Sequence, residues 1–162
     1  MGASTILAID PGPERSAWVE YARGKVVGMG LDSNWQTIAI VKGSCGVARL
    51  AVEMVACYGM PVGSEVFETC VWAGRFVEAF DTQCHDHAKY YVYRTDVKMH
   101  LCGNTRAKDS NVRQALIDKF GPGKEKAIGK KATPGPLYGV KKDIWAALAV
   151  AVTFDETRRS HD

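Results

Sequence analysis

Short runs of apolar residues, separated by turns rich in glycine and proline, alternate along this chain with longer segments of helical periodicity. The first run, residues 5–12 (T-I-L-A-I-D-P-G), is apolar without alternation and ends at Asp10 before a Pro-Gly pair. Such a run is typical of a strand that is covered on both faces. Residues 16–21 and 25–31 predict two more strands, joined by a tight turn at residues 22–24. The three strands together indicate an antiparallel meander.

The rest of the chain alternates helices with two further strands. Apolar runs predict strands at residues 50–55 and 90–94. Apolar residues at helical spacing predict helices at residues 35–41, 64–80, 111–120 and 143–157, and a short helix that follows a cap at 95–96 and ends before Gly103. Residues 121–136, with four glycines, three prolines and four lysines, predict a mobile loop outside the core. This order indicates an α/β fold with a mixed sheet.

Length and composition indicate an ordinary globular protein. The chain has 162 residues, 46% hydrophobic and 24% charged, which suits one domain, residues 1–162, with a single core. No apolar run approaches the roughly 18 residues needed to cross a bilayer, and the first residues lack a signal-peptide pattern. We therefore expect a cytoplasmic protein without a membrane partner.

The cysteines and histidines do not indicate a zinc site or a disulfide framework. The five cysteines, which are Cys45, Cys57, Cys70, Cys84 and Cys102, share no C-x-x-C spacing, and we expect reduced thiols. His85 and His87 have the spacing of metal ligands, but the sequence shows no third ligand for them, and we expect no metal site there.

The net charge of +3 conceals an asymmetry along the chain. Residues 1–97 carry 8 Lys/Arg and 11 Asp/Glu, a balance of −3, whereas residues 98–162 carry 13 and 7, a balance of +6. The basic part predicts a polyanionic partner. A lysine-rich surface in contact with solvent is the alternative.

Three acidic residues lie where an apolar element meets a polar segment. Asp10 ends the first strand, Glu53 lies inside the strand at 50–55, and Asp143 begins the last helix. In a sheet of order 3-2-1-4-5, strands one and four are adjacent and parallel, so Asp10 and Glu53 can converge with Asp143. Close carboxylates repel unless cations intervene, and oxygen ligands suit Mg²⁺ or Mn²⁺. The alternatives are an Asp10 that only opens a turn and a Glu53 on a solvated strand edge.

Three segments, in this order and spacing, resemble a known family. I-L-A-I-D-P-G near the start, L-A-V-E-M-V in the middle and K-D-I-W-A-A-L-A-V-A near the end resemble RuvC-like Holliday junction resolvases of the ribonuclease H-like fold, especially the divergent forms carried by bacteriophages. Residues 107–109 and the helix at 111–120 resemble the family's basic segment and the helix after it. The resemblance covers nearly the whole chain. It implies a ribonuclease H-like α/β fold with a five-stranded sheet of order 3-2-1-4-5 and a crossover junction endodeoxyribonuclease, located in the bacterial host cell if a phage encodes it.

The resemblance also implies roles for individual residues. Asp10, Glu53 and Asp143 would bind one or two Mg²⁺ ions, with Mn²⁺ as a substitute, and Lys108 would lie near the scissile phosphate. Family members usually carry a second acid three residues after the first in the last helix, and here Ala146 takes that place. This departure puts the number and affinity of the metal ions in question, but the reaction less so, because related enzymes work with three carboxylates.

Further residues are candidates for contacting DNA. Tyr58, in the loop at 58–63, could stack on an unpaired base at the junction centre, although an ordinary packed tyrosine is the alternative. Phosphate contacts are expected from basic residues, namely Lys98, Arg106, Lys108, Arg113, Lys141 and Lys142. For Lys108, the alternative is a solvated lysine in front of a helix.

The predicted helix at 64–80 has an apolar face broader than packing on one sheet requires. Phe67, Val71 and Phe76 belong to this face. A four-way junction has two equivalent strands to cut, and this chain offers one carboxylate cluster, so we expect a two-fold homodimer built on this helix. The alternative is that all these residues face the core and the protein acts alone.

These features together predict a metal-dependent, structure-selective DNA endonuclease that resolves four-way junctions by paired nicks in opposed strands. Two alternatives remain open. One is a nuclease with a broader preference for forks and flaps. The other is a junction-binding architectural protein that has lost cleavage, for which Ala146 is the support.

Overall fold

A mixed five-stranded sheet forms the centre of the fold. In the computed structural model, which describes residues 5–44, 48–81 and 89–159, the strands are β1 (Thr5–Asp10), β2 (Arg15–Ala22), β3 (Lys25–Ser33), β4 (Ala48–Met54) and β5 (Lys89–Tyr93). The strand order is β3-β2-β1-β4-β5. Strand β1 is antiparallel to β2 and parallel to β4, and β5 is parallel to β4. The predicted order and the predicted α/β class are confirmed.

Helices cover both faces of the sheet. They are α1 (Asn34–Gly43), α2 (Ser64–Asp81), α3 (Arg94–Cys102), α4 (Asp109–Phe120), α5 (Lys124–Ala127) and α6 (Ile144–Arg159). On one face, Ile6 and Ala8 of β1 share a core with α3, α4 and α6. On the other face, Leu7 and Ile9 share a core with α1 and α2. Because successive β1 side chains enter two different cores, the strand needs apolar residues at every position, as the sequence predicted.

Local signals fix the limits of several elements. Helix α1 begins after Ser33, whose side chain accepts a hydrogen bond from the Gln36 N–H, while Gln36 Oε1 accepts one from the Ser33 N–H at 3.2 Å. This is a capping box. Helix α3 ends at Gly103, whose φ of 67° is a left-handed conformation that favours glycine.

Two predictions about chain segments are wrong. Residues 121–136 do not form a loop outside the core, because they contain α5 and a small hairpin of strands β6 (Gly129–Lys130) and β7 (Thr133–Pro134). The Ala127 side chain is fully buried, and a Cβ on Gly135 would lie 2.4 Å from the Lys126 carbonyl oxygen. The glycine therefore permits a close backbone approach. Arg94 begins α3 rather than ending the fifth strand.

Three of the five cysteines lie in the part of the chain that the structure describes. Cys57, Cys70 and Cys102 are free thiols, whereas Cys45, Cys84, His85 and His87 lie outside the described residues. No helix in the three described ranges is long and apolar enough to cross a membrane.

Candidate active site

The strand register brings two of the predicted acids together. The parallel ladder between β1 and β4 pairs Ile9 with Val52, so the next residues, Asp10 and Glu53, lie side by side at the carboxyl ends of their strands. Glu53 is only 9% exposed, and Asp10 is partly buried. Glu53 therefore does not lie on a solvated strand edge.

Asp143, the third predicted acid, acts electrostatically on Asp10. Asp143 lies immediately before α6 and is exposed. Burial, followed by the negative charges of Glu53 and Asp143, raises the pKa of Asp10 to about 8. Burial also raises the pKa of Glu53, against the opposing effect of the Arg94 guanidinium. The three acids form one electrostatic cluster, and a cation beside them would favour the ionised form of Asp10.

A basic residue that the sequence interpretation did not single out contacts this cluster. Arg94 Nη1 lies 3.2 Å from Glu53 Oε1, and Arg94 Nη2 lies 2.8 Å from Asp109 Oδ2. One helical turn later, Lys98 Nζ lies 4.0 Å from Asp109 Oδ1. A charged residue inside an apolar strand requires a partner or a metal ion, and this requirement at Glu53 was the available signal for a partner such as Arg94.

An open cavity of about 130 Å³ adjoins the acids. Its acidic wall contains Glu53, Asp109 and Asp143, and its basic rim contains Arg94, Lys98, Arg113 and Lys142. The Arg113 guanidinium lies 4.8 Å from the centre of the Trp145 ring, which also lines the cavity. Cations around an acidic wall suit a phosphate group that approaches the carboxylates.

The remaining predicted DNA contacts lie outside this cavity. Tyr58, Arg106, Lys108 and Lys141 are exposed and do not line it. Lys108 is the N-cap residue of α4, immediately before Asp109. The Tyr58 hydroxyl lies 3.0 Å from Thr95 Oγ1, so the loop after β4 contacts the first turn of α3. The structure thus brings Lys98, Arg113 and Lys142 to the cavity beside the acids, whereas the other four residues are not part of its lining.

A buried polar network fixes the turn that follows Asp10. Ser16 Oγ donates a hydrogen bond to Asn34 Oδ1 at 2.6 Å, and Asn34 Nδ2 donates to the Gly12 carbonyl at 2.9 Å. The Gly12 N–H donates to Ser16 Oγ at 3.2 Å, which closes the ring. Both side chains are buried. The sequence interpretation missed this network, because Ser16 and Asn34 are 18 residues apart and meet only in the folded chain.

The donor set suits a hard divalent cation. Carboxylate oxygens are the ligands that Mg²⁺ and Mn²⁺ prefer, and a cation at Asp10, Glu53 and Asp143 would relieve the repulsion that, after burial, raises the Asp10 pKa. Within the described ranges, no group of three or more His, Cys, Asp or Glu side chains is arranged to hold a metal ion as it stands. Ala146, which lines the cavity, offers no oxygen ligand. The donors therefore fit one ion better than two.

Helix α2 exposes part of the apolar face that the sequence predicted. Phe67 and Val71, one turn apart, are 64% and 60% exposed, whereas Phe76 is fully buried. Phe76 packs in the core that α2 shares with β1 and β4. Its predicted place in an intermolecular contact is therefore wrong, because it lies on the side of the helix that faces the sheet.

The sheet order and the flanking helices, together with the likeness to two solved structures, define a ribonuclease H-like fold. The chain is similar to RuvC from T. thermophilus in complex with a Holliday junction substrate, with a TM-score of 0.71, 17% sequence identity, and coverage of 98% of this chain and 96% of that chain. It is also similar to a second Thermus thermophilus RuvC structure, with a TM-score of 0.66, 17% identity, and coverage of 97% and 96%. By sequence, the chain matches no protein-family model and no curated protein.

Proposed function

We propose that this chain is a metal-dependent, structure-selective DNA endonuclease that resolves four-way junctions by paired nicks in opposed strands. The observation that carries the proposal is the adjacency of Asp10 and Glu53 at the end of β1 and β4, with the Asp143 charge acting on Asp10. The likeness in fold to RuvC in complex with a Holliday junction substrate supports branched DNA as the substrate.

The chemistry would take place at the three carboxylates. Asp10, Glu53 and Asp143 would hold Mg²⁺, or Mn²⁺ in its place. When bound, the ion supplies Lewis-acid activation of the phosphodiester and of the attacking water. In the hydrolysis, a water oxygen bonds to phosphorus and the bond to the leaving oxygen breaks. The proton of the water passes to solvent, and the leaving oxygen takes up a proton.

The basic residues would bind and orient the DNA strands. Lys98, Arg113 and Lys142 line the cavity beside the acids and would contact the phosphates next to the cleaved bond. Lys108, Arg106 and Lys141 would contact phosphates farther away. Tyr58, which is 64% exposed, would stack on a base at the junction centre.

The working form would be a homodimer through α2. Phe67 and Val71 are exposed on this helix, and Trp35 at the start of α1 is 65% exposed. The Arg75 guanidinium lies 4.4 Å from the Trp35 ring and 4.3 Å from the Trp72 ring, which joins the two helices. Because α2 follows β4 after a short loop, pairing of α2 with its copy would fix the separation of two active sites.

A junction-binding protein without cleavage is the second candidate. Two observations favour it: Ala146 lacks a carboxylate, and Glu53 is already engaged by Arg94. This protein would keep the basic rim and the dimer, but would bind junctions without cutting them.

Strand cleavage of matched substrates separates the candidates. We would incubate the protein with a labelled four-way junction, a fork, a flap and a linear duplex in Mg²⁺ or Mn²⁺. The proposal predicts symmetric nicks in opposed strands of the junction and no cutting in EDTA. Equal cutting of forks and flaps would indicate the broader nuclease, and tight junction binding without cutting in either ion would indicate the architectural protein. Equal affinity for junction and linear duplex would contradict both junction-specific candidates.

A further inference from the structure

Arg94 lies between two acids at the edge of the candidate active site. We infer that Arg94 is a catalytic residue whose guanidinium supplies the positive charge that a second metal ion would otherwise bring. The chain then works with one divalent ion. This role rests on the proposed function of the site.

The position of Arg94 follows from the strand register. The parallel ladder between β4 and β5 pairs Glu53 with Val92 and Met54 with Tyr93, so Arg94 emerges beside the end of β4. Its guanidinium contacts Glu53 at 3.2 Å and Asp109 at 2.8 Å. Two of the five guanidinium N–H donors are used in these contacts, and the others are available to a phosphate. The side chain is 47% exposed and lines the cavity.

The residue at position 146 explains why the site lacks a ligand for a second ion. Residues 143 and 146 are three apart at the start of α6, so side chains at these positions lie on the same side of the helix. An acid at 146 would face the cavity that Glu53, Arg94 and Asp143 line, but Ala146 presents a methyl group there. A second ion would find no ligand at 146, and would compete with Arg94 for Glu53.

Arg94 is held by two acids, Glu53 and Asp109, in the wall of the cavity. In phosphodiester hydrolysis, negative charge accumulates on the phosphate oxygens. A guanidinium that is fixed by Glu53 and Asp109 is oriented before the reaction and can stabilise this charge.

The first test counts metal ions and measures cleavage in parallel. Isothermal titration with Mn²⁺ should show one ion per chain for the parent and for Arg94→Ala. The affinity in Arg94→Ala should be unchanged or higher, because a competing positive charge has left Glu53. Cleavage of the junction should fall about 100- to 1,000-fold in Arg94→Ala, as for the loss of one fixed donor to a developing anion. A merely structural role would weaken metal binding and cleavage together.

Further variants guard against a folding defect. Arg94→Lys, which keeps the charge but loses the planar fork, should lose less activity than Arg94→Ala. Arg23 is an exposed arginine in the β2–β3 turn, at the opposite end of the sheet from Asp10, and Arg23→Gln should behave as the parent. Combining Arg94→Ala with Ala146→Asp should add a second Mn²⁺ and recover part of the cleavage.

Several outcomes would overturn the role of Arg94. They are two Mn²⁺ ions on the parent, Arg94→Ala cleavage within about threefold of the parent, or faster cleavage after removal of the arginine. A parent that cuts no junction would refute the proposed function instead, while the ion counts would still decide between one ion and two.

Discussion

Ser16 Oγ and Asn34 Oδ1 share a 2.6 Å hydrogen bond beneath the turn that follows Asp10, and both side chains are buried. Asn34→Ala removes this bond and the one to the Gly12 carbonyl, which leaves the buried Ser16 hydroxyl without its acceptor. We expect a loss of about 1–3 kcal/mol in the free energy of unfolding, and slower cleavage because the turn that positions Asp10 loosens. Urea denaturation and junction cleavage measure the two effects. Asn104→Ala, which removes one exposed hydrogen bond from the Arg106 N–H, is the comparison for stability, and equal stability of the two variants would refute the positioning role.

The raised pKa of Asp10 gives the metal-free protein a pH dependence of known sign. This pKa is about 8 in the folded state, against about 4 in an unfolded chain. The stability that protonated Asp10 contributes is complete below the unfolded value and is lost as the pH rises through about 8. Asp10→Asn removes the ionisable group, so its melting temperature in EDTA should exceed that of the parent by a margin that grows from pH 5 to pH 8.5. Mg²⁺ should narrow this margin by stabilising the parent, and a margin independent of pH would contradict the burial of Asp10 among acids.

The basic rim should make junction binding strongly dependent on salt. Between about 50 and 200 mM salt, the affinity should fall steeply as counterions are released. Arg113→Gln and Lys142→Gln, which remove rim charges, should each reduce the slope of log affinity against log salt by about 1. Lys25→Gln, at the far end of the sheet from Asp10, should leave the slope unchanged. A slope that does not respond to either rim substitution would place the DNA elsewhere.

The α2 surface can be tested with two valines of nearly equal exposure. Val71 on α2 is 60% exposed and Val27 on β3 is 59% exposed. Val71→Asp places a charge at the proposed two-fold contact, where it meets its own copy, and should give a folded monomer in sedimentation. Val27→Asp should remain a dimer. On a supercoiled cruciform plasmid, the parent and Val27→Asp should give linear product, and Val71→Asp only nicked circles. A parent that is monomeric on DNA and still gives linear product in one binding event would rule out the dimer.

The resemblance to RuvC-like resolvases implied the sheet order that the structure shows, and the apolar pattern placed the three acids at the ends of or within apolar elements. The unbroken apolar run before Asp10 predicts a strand that is covered on both faces, and the apolar run around Glu53 predicts a second such strand. Other features depend on packing between distant segments. The apolar residues of the 64–80 segment predicted a helix with a broad apolar face, but they did not show that Phe76 faces the core while Phe67 faces solvent. The glycines and prolines of residues 121–136 predicted turns, but not the burial of Ala127.

Side-chain partnerships were the least predictable features. Arg94 contacts Glu53 only because β5 ends at Tyr93, one residue before Arg94. The sequence interpretation ended this strand at residue 94, and this error of one residue was enough to miss the contact between Arg94 and Glu53. Ser16 and Asn34 lie in different elements and meet only when β2 and α1 pack around the turn after Asp10.

The central claim is that Asp10, Glu53 and Asp143 form a metal-dependent nuclease site for four-way junctions. The most direct measurement compares the parent and Asp10→Asn for cleavage and binding of the same labelled junction in Mg²⁺. The parent should nick opposed strands symmetrically. Asp10→Asn should lose cleavage by about a thousandfold or more, because a lost metal ligand removes several kcal/mol of transition-state stabilisation. It should bind the junction as well as the parent or more tightly, since a charge that repels phosphate is gone. Cleavage by Asp10→Asn within about tenfold of the parent would contradict the assignment of the site.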